Sequence, residues 1–414
     1  MSETVAETMG DKPTEEKVEN VQPPRHDGQP YFPQPGIYFG MPEAEYHSIH
    51  ACSASGLKHL SVSSMDYWAL STLNQEREEE GEKESGKLTP RQLGHAYHSY
   101  IVEGANAFDK RFVLALDKDE IKARAKATGR ELCVTIADIR AAIDALDVKP
   151  KGTSKDALIE QLLDLDPGAF IWERMVSEHG RKHAGKTFIS HKMFRRIAIA
   201  KLMIEGDPEL KDAFHGGHAE VSIFWFCPTT GAPMKARLDY IKMNALVDLK
   251  SFGNMMNKPI QRAIDAAITN QKYYMPVVVY LEAIAAAKAM IVATKGKGTV
   301  WEYKPFDKGG GMIVWEPAPA TGNLLDWVWK WAPQPEPQVM FIFQQTGIAP
   351  VTRGRIMPLH THYMATQFAI QFLKRKWVRC AKAYGTDPWL DFEPVRTTAD
   401  EELFNSASDF GDFE

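Results

Sequence analysis

The amino-acid sequence predicts an α/β protein with a mixed central sheet flanked by helices. Three observations carry that expectation. A helical segment over about 190–205 leads into three strand-like runs, an apolar helical stretch follows over 258–291, and a further strand run comes after it. The strand runs "HAEVSIFWFCP", "PMKARLDYIKM" and "NALVDLKSF" contain alternating apolar residues, and the turn "TTGA" joins the first two. With 414 residues, 44% of them hydrophobic, the chain can bury a large core.

In chain order, residues 1–30 carry seven acidic and three basic side chains, and 397–414 carry six acidic and none basic, which leaves the body mildly basic against a net charge of −5. Both ends have the composition of disordered tails, and the repeated Phe of "SDFGDFE" offers a docking motif as an alternative to simple solubilisation. "GIYFGMPEAEYHSI" reads as a strand and turn, and "CSASGLKHLSVSSMDYWAL" opens a helix with Ser53 or Ser55 as N-cap. In "TPRQLGHAYHSYIVEG", Pro90 sits in the first turn after Thr89, and Leu93, Ala96, Tyr97 and Ile101 form an apolar stripe. Gly94 permits close approach there. His98 lies one position round from the stripe, where a structural histidine is the ordinary occupant.

Residues 119–180 read as an insertion with two short amphipathic helices, the first capped by Thr135 and the second by Thr153 or Ser154 after "KPKGT". That pair resembles the SAP helical module, in which Lys149, Lys151 and Lys155 would meet a nucleic-acid backbone; a plain helical hairpin with a solvated Lys face fits equally well. Residues 285–337 form a second insertion, in which Lys295, Lys297, Lys304 and Lys308 alternate with Trp301, Tyr303, Phe306 and Trp315. This pattern suits either a groove for stacked bases or a β-hairpin with edge lysines, and the hairpin is the simpler reading. No uninterrupted apolar run reaches about 18 residues, and the N-terminus lacks signal-peptide regions, so a cytoplasmic protein with no membrane partner is expected. Cys52, Cys133, Cys227 and Cys380 are far apart and read as reduced and structural.

The stretch "RLDYIKMNALVDLKSF" places charge where a strand normally carries apolar residues. Strand side chains alternate, so Asp248 and Lys250 project together on one surface while Val247 and Leu249 point to the core. Asp239 ends the preceding strand and lies beside them if the strands pair. Clustered carboxylates repel and raise each other's pKa unless a divalent cation sits between them, and oxygen ligands suit magnesium or manganese. A lysine beside such a cation can stabilise charge on a phosphoryl oxygen and orient or deprotonate water. On spacing alone, an ordinary Asp–Lys ion pair explains the motif as well.

The segments "CSASGLKHL…SSMDYW", "LGHAYHSYIVEG", "HAEVSIFW", "ARLDYIK" and "LVDLKS", in this order, resemble the RecE-type exonuclease VIII proteins of the PD-(D/E)XK nuclease superfamily. The resemblance covers roughly 37–118 and 185–284 and resumes weakly over 338–392. It implies a restriction-endonuclease-like core and a metal-dependent exodeoxyribonuclease. Such an enzyme degrades duplex DNA ends 5′ to 3′ with a metal-activated water and supplies a single-strand annealing protein in phage-type recombination. It assigns His98, Asp239, Asp248 and the Leu249 carbonyl to the metal, makes Asp248 and Lys250 the Asp-x-Lys pair, and places Glu220 beside or among the ligands. Tyr280 matches a family Tyr near the DNA, but Pro276 stands where the family carries Gln; Gln271 is a displaced substitute. The expected organisation is an acidic tail (1–30), nuclease segments over 31–118, 181–284 and 338–396, the two insertions, and a second acidic tail (397–414). Two other functions remain compatible: an endonuclease of the same superfamily, and a DNA-binding protein that keeps the fold with weakened turnover. Oligomeric state is left open, a homo-oligomer included.

Overall fold

A computed structural model describes residues 18–77, 89–310, 312–347, 349–357 and 361–390. The segment 397–414 therefore lies outside the described residues, as does the start of the N-terminal one. From residue 18 onward the expected N-terminal tail lies on the folded body. Val21 donates its N–H to the Gly231 carbonyl at 2.8 Å, and His26 Nε2 lies 2.7 Å from the Leu73 carbonyl. Gly231 is required there: its φ is +68°, and a Cβ would meet the Glu19 carbonyl at 2.0 Å.

The expected α/β core is present as an eight-stranded mixed sheet. Its strands are β1 (Gly36–Phe39), β2 (His218–Phe226), β3 (Pro233–Ile241), β4 (Ala245–Phe252), β5 (Val300–Asp307), β6 (Ile313–Pro319), β7 (Gln338–Gln345) and β8 (Thr352–Ile356). They run in the order β6-β5-β1-β2-β3-β4-β7-β8. The β1–β5 and β4–β7 pairs are parallel and the remaining neighbours antiparallel. Seven of the helices pack on this sheet or build the first insertion: α1 (Ala54–Leu60), α2 (Pro90–Ile101), α3 (Ile136–Asp144), α4 (Lys155–Leu165), α5 (His191–Gly206), α6 (Tyr274–Thr294) and α7 (Thr361–Tyr384). Ser53 caps α1, Thr89 and Gln92 close a capping box on α2, and Thr135 and Ser154 cap α3 and α4.

Helices cover both faces of the sheet. Leu246 and Phe252 of β4 join the larger core with α1, α6 and α7, while Val247 and Leu249 join a second core with α2 and α5. A central strand covered on both faces has no solvent side. The expectation that Asp248 stands on a surface is therefore corrected: it is 0% exposed, beneath the α6 layer. Helix α6 is long and apolar enough to cross a membrane, but half of its apolar window is buried inside the protein. Its Glu282 pairs with Lys374 of α7, which is itself fully buried.

The first insertion leaves and returns through one small parallel pair, Phe112–Leu114 against Thr187–Ile189. Between them α3 and α4 close on their own core of Cys133, Ile139, Ile143, Leu158, Leu162 and Ile171. The second insertion contains the antiparallel β5–β6 hairpin at the sheet edge, in register from Ile313↔Asp307 to Pro319↔Trp301. Trp301 stacks on Tyr38, and Lys304 and Lys308 pair with Glu302 and Glu316. Residues 300–319 of this segment thus form a hairpin whose Lys304 and Lys308 already have carboxylate partners. All four cysteines are free and buried.

Candidate active site

The site forms where β3 parts from β4. Strands β3 and β4 pair only at Tyr240↔Val247 and Ile241↔Leu246, next to their turn. Beyond those two pairs they part, while β4 stays in continuous parallel register with β7 from Ala245↔Gln338 to Phe252↔Gln345. The Asp239 carboxylate fills the gap: its Oδ2 accepts the Leu249 N–H at 2.9 Å, in place of a ladder bond. On the other side of β3 the ladder passes from Ala219↔Tyr240 to Val221↔Leu238 and skips Glu220. Glu220 has a φ of +56°, a left-handed conformation within a strand that costs a non-glycine residue about 1–3 kcal/mol. Strain of this kind persists where surrounding contacts enforce it, and here Arg237 Nε donates to Glu220 Oε2.

Helix α2 brings His98 over this gap. Its Nε2 lies 3.1 Å from Glu220 Oε1 and 3.3 Å from Asp239 Oδ2, and its Nδ1 lies 3.6 Å from Glu103 Oε1. Glu103 is in turn held by Arg111 Nη1 at 2.5 Å. The approach of α2 depends on Gly94, where a Cβ would come 3.1 Å from Ser251 Oγ of β4. Behind the gap Lys250 Nζ is 2.5 Å from Asp248 Oδ1. The Lys250 ammonium also lies 5.6 Å from the Tyr273 ring centroid and 5.4 Å from that of Phe341. These groups line, or lie directly behind, a cavity of about 410 Å³.

Burial and mutual charge set the protonation states. Burial first, then the Asp239 carboxylate, pushes Asp248 up to about 7. Burial opposes ionisation of Asp239 too, but the facing His98 and then Lys250 hold it well below the usual carboxylate range. His98 is raised well above an ordinary histidine: burial acts against the charge, and Asp239, Glu103 and Glu220 outweigh it. Lys250 is also raised, against burial, by Asp248 and Asp239. In the metal-free site Lys250 is thus an ammonium that donates hydrogen bonds and charge.

The residues fit a hard cation. His98, Glu220 and Asp239 each offer a ligand atom, all within 4.8 Å of one another. Both Asp248 carboxylate oxygens are buried without a hydrogen bond of good geometry. The structure thus draws Glu220 into the trio with His98 and Asp239, and places Asp248 behind it with Lys250. Leu249 borders the cavity and contributes its N–H to Asp239.

The other expected residues divide between the cavity wall and the rest of the protein. Tyr280 borders the cavity beside Asp248, where burial and then the Asp248 charge raise its pKa. Pro276 also lines the cavity, whereas Gln271 is exposed at the end of the preceding helix and does not. Lys149, Lys151, Lys155, Lys295 and Lys297 all lie outside the cavity lining. Lys155 pairs with Glu173 at 2.5 Å, which leaves Lys149 and Lys151 as the exposed lysines of that loop. Sequence reasoning missed Glu103, Arg111, Arg237, Lys58 and Tyr273. Lys58 of α1 lies 5.0 Å from the Tyr273 ring centroid, and burial and then Lys250 lower its pKa to about 8. Glu103, just past the helix that carries His98, and Arg237, two residues before Asp239 on β3, had local signals; Arg111, Lys58 and Tyr273 arrive by tertiary packing.

No protein-family model and no curated protein matches the chain. Among solved structures, the crystal structure of a "putative exonuclease" from Eubacterium rectale aligns with 77% of this chain and 98% of its own, at 12% identity and a TM-score of 0.27. A likeness that weak carries no argument for fold or activity.

Proposed function

We propose that the protein is a magnesium- or manganese-dependent deoxyribonuclease of the PD-(D/E)XK kind, acting on duplex DNA ends in the 5′ to 3′ direction. The observation that carries this reading is the parting of β3 and β4 around Asp239, Asp248 and Lys250, with His98 and Glu220 closing on the same gap. In this reading Asp239, Glu220 and His98 hold the cation. When bound, the cation supplies Lewis-acid polarisation of the scissile phosphate and a water acidic enough to ionise near neutrality.

The chain's own residues do the rest. The Lys250 ammonium, fixed between Asp248 and the faces of Tyr273 and Phe341, donates to phosphoryl oxygens that gain negative charge and orients the attacking water. Arg237 and Arg111 balance the carboxylates around His98 and keep them aimed. Hydrolysis adds water across one P–O bond and leaves a phosphate on one fragment and a hydroxyl on the other. Asp248→Ala and Lys250→Ala are expected to abolish magnesium-dependent release of label from duplexes labelled at the 5′ or 3′ end, with circular dichroism unchanged. Full activity in either variant contradicts the assignment, and the order in which the two labels are released reads the polarity.

A further inference from the structure

Helix α7 carries a two-part stripe that the sheet does not use. Its inner face, Ile370, Leu373, Trp377 and Cys380, is buried in the main core. On its outer face Met364, Phe368 and Phe372 stand at four-residue intervals, 55%, 72% and 64% exposed. Arg375, Arg379 and Lys382 continue the same line toward the C-terminal end, also exposed. Among the described residues none of these three cations pairs with a carboxylate, although many surface cations elsewhere do. Two phenylalanines about two-thirds exposed, one turn apart on a helix, make an apolar patch that awaits a cover.

The chain holds a segment of matching chemistry. The described residues end at Leu390, a few positions past α7, and the sequence continues for 24 residues. In that continuation Asp400, Glu401 and Glu402 precede Phe404, Phe410 and Phe413, with Asp391, Phe392 and Glu393 before them and Asp409, Asp412 and Glu414 flanking the last two phenylalanines. A segment doubling back along α7 meets Lys382, Arg379 and Arg375 before Phe372, Phe368 and Met364. Asp400, Glu401 and Glu402 thus come level with the cations before Phe410 and Phe413 come level with the apolar half. The lengths agree as well: Lys382 to Met364 spans about 27 Å of helix, and Asp400 to Phe410, extended, reaches about 33 Å. The nine residues between Leu390 and Asp400 suffice to reverse direction.

We propose that the acidic, phenylalanine-bearing segment 397–414 docks in cis along this outer face of α7, the carboxylates of Asp400, Glu401 and Glu402 on the Arg375–Lys382 half and Phe410 and Phe413 on the Met364–Phe372 half. The test uses the full chain with a photo-crosslinking phenylalanine analogue in place of Phe410, and mass spectrometry of the linked peptides. Expected are links within one chain to residues 364–375, reduced at least about tenfold by the double substitution Phe368→Ser/Phe372→Ser and weakened by salt or by Arg375→Ser/Arg379→Ser. Links to another element, links to a second copy of the chain, no links, or links undiminished in both double variants overturn the proposal. None of these residues lies in the candidate active site, so the outcome is independent of the nuclease reading.

Discussion

At the scale of single residues, the site is a chain of alternating charge: Arg111, Glu103, His98, the Asp239 and Glu220 carboxylates, and Arg237. Glu103 faces His98 Nδ1, which leaves Nε2 aimed at the carboxylates. A carboxylate behind a ligand imidazole fixes its orientation and tautomer. Glu103→Gln is therefore expected to weaken manganese binding about 10- to 100-fold in titration calorimetry, and unchanged affinity would show that Glu103 only packs. Protonation gives a second prediction. The Asp248 carboxyl, held near 7 by burial and Asp239, keeps a proton that the unfolded chain has released above about pH 4. Its contribution to the stability of the metal-free protein is thus fullest below that pH and is lost as the pH rises through 7. Cation binding favours the ionised form, and His98, raised by Asp239, Glu103 and Glu220 against its burial, must also give up its proton. Manganese should raise the melting temperature more at pH 8 than at pH 6; a larger shift at pH 6 contradicts these protonation states.

At the scale of elements, α2 resting on β4 sets the height of His98 above the gap. Gly94→Val forces a branched side chain against Ser251 and is expected to cost about 1–3 kcal/mol in chemical denaturation. It should weaken cation binding as well, and a variant of unchanged stability would mean that α2 is free to shift. The Asp239, Asp248 and Lys250 pattern was legible because strand spacing places charge where apolar residues belong, and α2 was legible from its cap and stripe. The full burial of Asp248 was not, because it depends on α6 closing over a strand that alternation alone reads as half exposed. Lys58 and Tyr273 were hidden for a related reason: they reach Lys250 from segments far away in the chain. In the first insertion the caps and helices were legible, but the Lys155–Glu173 pair was not, since the two sit on separate helices. Phosphate contact is accordingly expected from Lys149 and Lys151. Replacing both by Ala should reduce the salt dependence of DNA binding by a log–log slope of about 2, with cleavage at saturating DNA retained; an unaltered slope removes this loop from the DNA interface.

At the scale of the whole molecule, a sheet covered by helices on both faces opens between β3 and β4. The charged groups of the candidate site converge there. The mixed sheet was foreseeable from the order of strands and helices. Its eight-strand extent was not, because β5 and β6 come from a segment whose composition fits a binding groove as well as a sheet edge. The central claim is that this gap is a cation site for phosphodiester hydrolysis. It is tested most directly by anomalous diffraction from crystals soaked in manganese. The account predicts an anomalous peak in the cavity in contact with Asp239 and within ligand distance of Glu220 or His98, absent in Asp239→Asn. No peak there at saturating manganese, or a peak that survives Asp239→Asn unchanged, would contradict it.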